Sequence, residues 1–498
     1  MLATVRSVAH IGLDAQIIDI ESDMSNGLPG FTVVGLANKA VEESKERVRS
    51  AIKNSGLNFP PKRLTVNLAP ADLPKTGSAF DLGIAIAILV SSGQISTDLS
   101  ETIFYGELAL DGTTRGVSGC LAAAQAAATR GFKQIFVPHQ NANSAALIND
   151  IDIYPVKNLQ QLYLHLIGEV CIPATSRGVS HNPESRVHEI DLADIYGQEH
   201  AKRAAEIAAA GGHNILLSGP PGSGKTMLAK AIAGILPDLT YQEMIDVTRI
   251  HGLCSPSEEL VTARPFRSPH HTASSIALTG GGQWPKPGEI SLAHHGVLFL
   301  DELPEFPRHV LEVLRQPIED GVVSIARAQA TYQFPANFML VATQNPCPCG
   351  YAGDPSTTCQ CSPNQINRYQ NKVSGPLLDR IDLKVQMSRI ESPELLEQKR
   401  GESSKEVKLR VMQARKRQQM RQTNGHVMAN SGLTNKHIKD FCQLDSATQA
   451  LADQAVRKLS LSARSYMRIL KVSRTIADLA DSQSIQQTHF AEALQYRL

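Results

Sequence analysis

A glycine-rich segment near the middle of the chain constrains the fold more than any other feature of the sequence. Its eight residues are Gly219, Pro220, Pro221, Gly222, Ser223, Gly224, Lys225 and Thr226. The segment follows a short apolar run, 215–217, and precedes a helix-forming run, 227–236. The pattern GxxxxGK[ST] between a strand and a helix is that of a phosphate-binding loop, whose backbone N–H groups converge on phosphate oxygens. We therefore expect ATP here, with Lys225 on its β- and γ-phosphates and Thr226 on Mg²⁺.

Two further apolar runs carry polar residues at their ends. The run 296–300 leads into Asp301 and Glu302, about 75 residues after the phosphate-binding loop. We expect Asp301 to hold Mg²⁺ through a water molecule and Glu302 to polarise the attacking water. The run 338–343 is followed by Asn345, which either bonds the γ-phosphate or the attacking water, or forms a turn before a proline.

Two arginines are candidates for contacts with the terminal phosphate. Arg380 could reach the γ-phosphate of a neighbouring subunit as an arginine finger, or form a surface ion pair with Asp379 or Asp382. Arg464, in the last helical pattern, could be a second phosphate sensor carried by a lid, or an ordinary solvated arginine. The residues alone leave both alternatives open.

Four of the eight cysteines lie within fifteen residues, as two Cys-x-Cys pairs. The first pair is Cys347 and Cys349, and the second is Cys359 and Cys361. Thiolates suit tetrahedral Zn²⁺, and four protein ligands predict a structural ion with no open position for catalysis. The alternative is a set of four reduced, unligated thiols.

The chain divides into three blocks and a linker. Residues 1–168 alternate short β-forming runs with alanine-rich helical stretches, and the polar segment 169–188 is expected to be the linker. Residues 189–390 alternate buried-strand patterns with helices, as in an α/β sheet. Residues 391–498 are helical throughout.

The composition is that of a soluble globular protein, with 42% hydrophobic and 19% charged residues. No apolar run reaches the roughly 20 residues needed to cross a bilayer. The first residues show no export-signal pattern, so we expect a cytoplasmic protein without a membrane partner. Because the formal net charge is only +1, binding to nucleic acid must come from local basic patches.

Three segments are candidates for such patches. The insertion 264–287 carries Arg267 together with histidines and a tryptophan, and the segment 322–335 is predicted to be a hairpin with Arg327 near its tip. In a ring, cations and aromatic residues on such hairpins suit a nucleic-acid strand, although both segments could be packed surface loops. The segment 399–421 contains nine Lys or Arg and two Glu, and Lys416 lies within it. This basic run either contacts DNA or forms a solvated helix face.

Six stretches together resemble the magnesium-chelatase-related branch of the AAA+ ATPases, and within it the ComM/YifB proteins of bacteria. The stretches are residues 67–89, 219–226, 264–275, 287–306, 342–351 and 377–383. The resemblance covers essentially the whole chain. It implies an α/β fold, with an AAA+ P-loop core, an N-terminal Lon-protease-like α+β domain and a C-terminal helical lid. It also implies that Asn345 is sensor 1, Arg380 the trans-acting finger and Arg464 sensor 2.

The resemblance implies an activity as well. Members of this family assemble as hexamers, and ComM proteins are helicases that drive branch migration during natural transformation. We therefore expect a homo-hexameric motor that uses ATP and Mg²⁺ to act on single-stranded and branched DNA, with recombination proteins as candidate partners. The alternative is an assembly ATPase of the magnesium-chelatase type, which acts on a protein partner.

The Lon-like block is expected to lack peptidase activity. Lon-type peptidases need a serine nucleophile and a lysine base within reach of each other. Ser78 is displaced from the nucleophile position, and Leu121 occupies the position of the lysine. We interpret this block as a protease fold used for assembly or DNA contact.

Overall fold

The structure is a computed structural model that describes most of the chain. The described residues are 2–35, 39–71, 73, 75, 77–175, 190–255, 260–282, 285–327, 331–389, 401–421 and 429–497. Most of the predicted linker, Trp284 of the insertion and the first two residues of the basic run lie outside them.

The N-terminal block contains nine strands in its described residues. They are β1 (Leu2–Ile11), β2 (Asp14–Ser25), β3 (Gly30–Val34), β4 (Arg63–Ala69), β5 (Thr102–Phe104), β6 (Glu107–Leu108), β7 (Thr114–Arg115), β8 (Gln134–Pro138) and β9 (Asp152–Val156). Seven of them form one mixed sheet in the order β3-β4-β2-β1-β5-β8-β9, and β6 pairs with β7. The short β-forming runs predicted for this block are therefore strands.

Five helices accompany this sheet in the part of the block that the structure describes. They are α1 (Lys39–Asn54), α2 (Asp81–Ser91), α3 (Cys120–Thr129), α4 (Ala142–Ala145) and α5 (Leu159–Leu166). Helix α2 is buried along nearly its whole length because its sequence is apolar on every face. It packs between α1 and the strands β1 and β2, and so forms the centre of this block's core.

The central block is built on a second, parallel sheet. Its strands and those of its insertions are β10 (Ile215–Ser218), β11 (Phe266–Arg267), β12 (Gly280–Gly281), β13 (Lys286–Pro287), β14 (Val297–Leu300), β15 (Val322–Ala326), β16 (Thr331–Pro335), β17 (Met339–Gln344) and β18 (Leu383–Gln386). The sheet has the order β11-β14-β17-β10-β18, and all its pairs are parallel. The predicted hairpin is confirmed as the antiparallel pair of β15 and β16.

Nine helices among the described residues connect and cover these strands. They are α6 (Glu199–Gly211), α7 (Lys225–Ile235), α8 (Tyr241–Gly252), α9 (Ser275–Thr279), α10 (Glu289–Leu292), α11 (Arg308–Glu312), α12 (Arg315–Asp320), α13 (Pro363–Gln370) and α14 (Gly375–Leu378). The N-terminal block packs on α8, where Arg249 donates to the carbonyl of Leu13 at 2.6 Å. Ile245 of the same helix is buried in the apolar cluster of that block.

The C-terminal block is helical, as predicted. Its helices are α15 (Ser404–Met420), α16 (Asn435–Phe441), α17 (Ser446–Lys458), α18 (Ala463–Leu479) and α19 (Gln487–Gln495). Helix α15 packs against α6 and α7, so one apolar cluster runs continuously from the central sheet into this block. The predicted fold class is confirmed: a parallel α/β core of the AAA+ type carries a helical C-terminal region. Among the helices that the structure describes, none combines the length and apolar character needed to cross a membrane.

Candidate functional site

Parallel strands bring the predicted nucleotide-binding residues to one edge of the central sheet. The phosphate-binding loop follows β10, Asp301 and Glu302 follow β14, and Asn345 follows β17. Strand β17 lies between β14 and β10, so the three strand ends are neighbours. The carboxyl ends of parallel strands share one edge of a sheet, which is where such folds bind ligands. We call this the carboxyl edge.

The phosphate-binding loop is tightly constrained. Lys225 is the first residue of α7, and its Nζ lies 2.8 Å from the carbonyl oxygens of both Gly219 and Pro220. A Cβ at Gly219 would lie 2.3 Å from the carbonyl oxygen of Met387, so only glycine fits there. Burial lowers the pKa of Lys225, while the acidic pair on β14 favours its charged form. The ammonium group therefore lies beside both the loop and the acidic pair.

The two predicted Mg²⁺ ligands are adjacent. Thr226 Oγ1 lies 3.3 Å from Asp301 Oδ2. A magnesium ion at about 2.1 Å from its ligands usually keeps several bound waters, one of which could link it to a nearby carboxylate. The pair could therefore hold one ion, Thr226 directly and Asp301 through water.

Thr343 fixes the acidic pair and was not identified from the sequence. Its hydroxyl donates to Asp301 Oδ1 at 2.5 Å and accepts the backbone N–H of Glu302 at 3.0 Å. Glu302 has a φ of 53°, a left-handed conformation that is uncommon for a residue other than glycine. Strained backbone of this kind persists where its surroundings hold it, and it is concentrated at functional sites. A polar side chain at the end of a buried strand was the signal that could have identified Thr343.

Gln198 is a second residue that the sequence did not single out. It precedes α6 with a φ of 57°, and its side-chain amide donates to the carbonyl of Ser388 at 2.6 Å. The same amide nitrogen lies 3.5 Å from the carbonyl of Ser223 in the phosphate-binding loop. Gln198 therefore links the loop to the segment after β18. Gln198 belongs to none of the sequence motifs of the nucleotide site.

Arg380 and Arg464 converge on one carboxylate. Arg380 forms an ion pair with Glu319 of α12 and donates to the carbonyl of Pro376 at 2.7 Å. Arg464 Nη2 lies 2.6 Å from the other oxygen of Glu319. The Arg380 side chain is only 7% exposed, whereas that of Arg464 is 54% exposed. The structure thus brings together two arginines that are 84 positions apart in the sequence (464 − 380).

The surface ion pairs considered for Arg380 are not formed. Asp382 lies 3.5 Å from Arg468, and Asp379 lies 3.9 Å from Arg497. Glu319, which no sequence pattern linked to Arg380, takes the place of both carboxylates.

The two arginines line a cavity of about 820 Å³ between the core and the C-terminal helices. Asn214, immediately before β10, also lines this cavity and donates to the carbonyl of Arg380 at 3.1 Å. The cavity therefore lies at the amino ends of the strands, which we call the amino edge. The four residues of β10 span about 13 Å between this edge and the phosphate-binding loop. Both arginines point to the side of the sheet opposite their own subunit's loop.

The four predicted cysteines form one cluster. Their sulfur atoms all lie within 4.8 Å of one another, and the three closest pairs, among Cys347, Cys349 and Cys359, are 3.3–3.7 Å apart. Four thiolates around Zn²⁺ at about 2.3 Å would lie about 3.8 Å apart, so this geometry fits the ion. The backbone N–H groups of Tyr351 and Gln360 lower the pKa of the Cys349 thiol to about 6, which favours a thiolate. The cluster could therefore hold zinc.

One other group of potential ligands comes together among the described residues: Asp246, His294 and His295. His294 Nδ1 accepts the backbone N–H of Asn337 at 3.0 Å, so the neutral ring carries its proton on Nε2. A metal-bound histidine donates from its second nitrogen instead. This hydrogen bond therefore argues against a metal, and we assign none.

The three candidate DNA-binding residues differ in their exposure and in their contacts within the chain. Arg267 forms two hydrogen bonds with Glu289, of 2.6 and 2.7 Å, and its side chain is partly exposed. Arg327 is exposed next to the tip of the β15–β16 hairpin, and its guanidinium lies beside Gly281 of the insertion. Lys416 is exposed on α15. All three residues remain candidates, and Arg267 is also paired within its own chain.

Most cations of the basic run are engaged within the chain. Lys408 pairs with Asp238 at 2.7 Å, Arg410 with Glu206 at 2.6 Å and Arg417 with Asp481 at 2.7 Å; Arg421 pairs with Asp478, and Arg415 donates to the carbonyl of Ala209. These contacts attach α15 to the core and to neighbouring helices. The net positive charge of this segment is therefore largely compensated by acidic residues that are distant in the sequence.

The position of the peptidase base carries no ionisable group. Leu121 is fully buried in an apolar cluster that includes several other residues of α3. Ser78 donates its hydroxyl to the carboxylate of Glu107.

Comparisons with known families cover all three blocks. Residues 191–395 match the family described as magnesium chelatase, subunit ChlI. Residues 20–141 match the family described as subunit ChlI of Mg-chelatase, and residues 401–497 match its C-terminal family.

Three relatives with known names are similar to this chain. It is 48% identical to competence protein ComM of Haemophilus influenzae over all of this chain and 97% of the relative. It is 46% identical to protein YifB of Escherichia coli, again over all of this chain and 97% of the relative. The similarity to the magnesium-chelatase 67 kDa subunit of Chlorobaculum parvum is 30% identity over 32% of this chain and 23% of that protein.

Proposed function

The chain belongs to the magnesium-chelatase-related family of the ComM and YifB proteins, and we propose that it is a ring-forming, ATP-driven motor that moves branches in DNA. The observation that carries the proposal is the set of nucleotide-site residues at the carboxyl edge. These are Lys225 and Thr226 of the loop, Asp301 and Glu302 after β14, and Asn345 after β17. The 48% identical relative is named a competence protein, which supports a role in competence. We propose that this role is the processing of DNA during natural transformation, in the cytoplasm.

The residues of this chain would share the work of hydrolysis. Lys225 would bind the β- and γ-phosphates, while Thr226 and Asp301 hold Mg²⁺, which neutralises charge on the phosphates. Glu302 would polarise the attacking water, and Asn345 would bond that water or the γ-phosphate. Because Thr343 bonds both members of the acidic pair, it keeps the metal ligand and the water-polarising group in a fixed relation.

The placement of Arg380 and Arg464 supports a ring. Both lie at the amino edge, away from the phosphate-binding loop of their own subunit. When the amino edge of one subunit faces the carboxyl edge of the next, repeated head-to-tail contacts close into a ring. The two arginines would then act on the terminal phosphate bound to the neighbour, in a homo-hexamer. Glu319 would hold both side chains in the cavity until that phosphate competes for them.

Contact with DNA would rest on few free cations. The net charge is +1, and most of the basic run is paired within the chain. Arg327, beside the hairpin tip, and Lys416, on α15, remain exposed. Backbone contacts of this kind carry little sequence preference, and affinity for duplex DNA falls with salt by a slope of about 0.9 per phosphate contacted.

Replacing Arg327 with Ala should uncouple hydrolysis from movement. We expect ATP hydrolysis to persist while DNA strand displacement fails, because the nucleotide site is untouched and the hairpin loses its cation. ATP hydrolysis and displacement of a labelled strand are measured on the same preparation. Arg457→Ala, which removes an exposed arginine at the end of α17, is the matched control. Normal displacement by Arg327→Ala would exclude this residue from DNA contact.

Purified protein should carry about one zinc ion per chain. Cys349→Ser should lose the ion, because it removes one of four ligands and the remaining thiolates cannot complete a tetrahedral site. Cys254→Ser, at an exposed cysteine outside the cluster, should retain it. Elemental analysis measures the metal content. If wild-type protein that was purified with Zn²⁺ available contains no transition metal, the cysteine cluster is not a zinc site.

A second candidate function is the assembly ATPase. The similarity to the magnesium-chelatase 67 kDa subunit favours it, since the same nucleotide site could drive the remodelling of a protein partner. The two functions differ in their response to DNA. ATP hydrolysis that is stimulated by single-stranded or branched DNA supports the motor, whereas indifference to every DNA structure supports the assembly ATPase.

A further inference from the structure

We propose that the four-cysteine loop, residues 347–361, positions the phosphate-binding loop through the contact of Gly350 with Pro221. This inference rests on the ATP site of the proposed function. Four protein ligands alone would indicate a purely structural metal site. The inference gives this site a role in nucleotide binding as well.

The contact lies between Gly350 and Pro221. Gly350 is buried, with a φ of 88°, and directly follows the ligand Cys349. A Cβ at Gly350 would lie 2.6 Å from Cδ and 2.7 Å from Cγ of Pro221. The main chain of the cysteine loop is therefore packed directly against the proline ring of the phosphate-binding loop. Only a residue without a side chain allows this approach.

The cysteine loop also begins next to Asn345. One residue, Pro346, separates Asn345 from the ligand Cys347, which is buried. The carbonyl of Pro346 accepts a hydrogen bond from the side chain of Gln370 at 3.1 Å. On the other side of Asn345, the carbonyl of Gln344 accepts the N–H of Gly219 at 3.2 Å, in the phosphate-binding loop itself. Asn345 is thus held between the sheet and the cluster.

Metal binding would stabilise both contacts. Bonds from four thiolates to one ion fix the conformation of the loop that carries them, because the free energy of binding is also free energy of local folding. The same ion therefore fixes Gly350 against Pro221 and sets the position from which Asn345 extends. Metal occupancy should consequently determine nucleotide affinity.

Two glycine substitutions in the same loop test this coupling. Gly350→Ala adds a methyl group that collides with Pro221, whereas a Cβ at Gly353 would meet nothing within 4 Å. The two positions have similar left-handed conformations, with φ values of 88° and 80°, so both substitutions carry a similar backbone cost. Gly353→Ala is therefore a matched control for Gly350→Ala.

The readouts are the affinity for a fluorescent ATP analogue and the metal content per chain. We expect Gly350→Ala to retain its metal and to bind the analogue about tenfold more weakly, as overpacking against a rigid neighbour predicts. Gly353→Ala should retain both metal and affinity. Wild-type affinity in a metal-replete Gly350→Ala protein would overturn the inference, as would an equal loss in Gly353→Ala.

Metal removal provides an independent measurement. Wild-type protein stripped by a chelator should lose affinity for the ATP analogue and regain it when Zn²⁺ is added. Unchanged affinity after complete stripping would overturn the inference, even if Gly350→Ala failed to retain its metal. Wild-type protein that binds no ATP analogue would contradict the proposed ATP site. If the wild type binds the ATP analogue and Gly350→Ala binds it equally well, only the coupling between the cysteine loop and nucleotide binding is contradicted.

Discussion

Glu302→Gln is expected to abolish ATP turnover while leaving ATP binding intact. The substitution preserves the shape of the side chain and removes the carboxylate that would polarise the attacking water, an effect typically of about 10²- to 10⁴-fold. Binding should survive, because Lys225, Thr226 and Asp301 are unchanged. Release of inorganic phosphate measures turnover, and a fluorescent ATP analogue measures binding.

Two further variants serve as controls for this measurement. Glu312→Gln alters a carboxylate in a surface pair with Arg315 at 2.7 Å and should hydrolyse ATP like the wild type. Lys225→Ala should weaken nucleotide binding itself, because Lys225 carries the cation of the phosphate-binding loop. A Glu302→Gln protein that turns over ATP at nearly the wild-type rate would show that another group polarises the water.

Arg380→Ala should reduce ATP turnover on the order of 10³-fold, as expected for the loss of an arginine finger. The defect should act across subunits, because Arg380 lies at the edge of the sheet opposite its own phosphate-binding loop. Mixing Arg380→Ala with Lys225→Ala should therefore restore part of the turnover. At a mixed interface, an intact Arg380 from one variant meets an intact phosphate-binding loop from the other.

The control for this mixture is Arg315→Ala, which removes a half-exposed arginine of the neighbouring surface pair. It should leave turnover unchanged in pure and mixed rings. An Arg380→Ala defect that persists in every mixture, despite normal ring assembly, would place the function of Arg380 within its own subunit.

The features that the sequence predicted well are those encoded locally. The phosphate-binding loop is one continuous segment between a strand and a helix, and the acidic pair directly follows an apolar strand. The four cysteines lie within fifteen residues, so their spacing alone predicted the cluster in which the structure places them. In each case, neighbouring residues in the sequence determine the local geometry, and a parallel sheet then brings the strand ends together.

The features that the sequence did not predict depend on distant partners. Arg267 is paired with Glu289, and Arg380 is paired with Glu319, 61 positions earlier in the chain. Neither pair follows a periodic pattern, because their separations are set by how helices pack on the sheet. The basic run was a candidate DNA-binding surface because its acidic partners are distant in the sequence. In the structure, several of its cations attach α15 to the core. Local charge does not reveal which acidic residue will lie opposite.

The central proposal, an ATP-driven motor on branched DNA, is tested most directly with a labelled four-way junction. Assembled wild-type protein with Mg²⁺ and ATP should convert the junction into its duplex products, whereas Glu302→Gln should bind ATP and leave the junction intact. Conversion should fall steeply as salt rises, because the grip on DNA is electrostatic. Wild-type rings that hydrolyse ATP at a steady rate but process no forked or branched DNA would contradict the motor and favour the assembly ATPase.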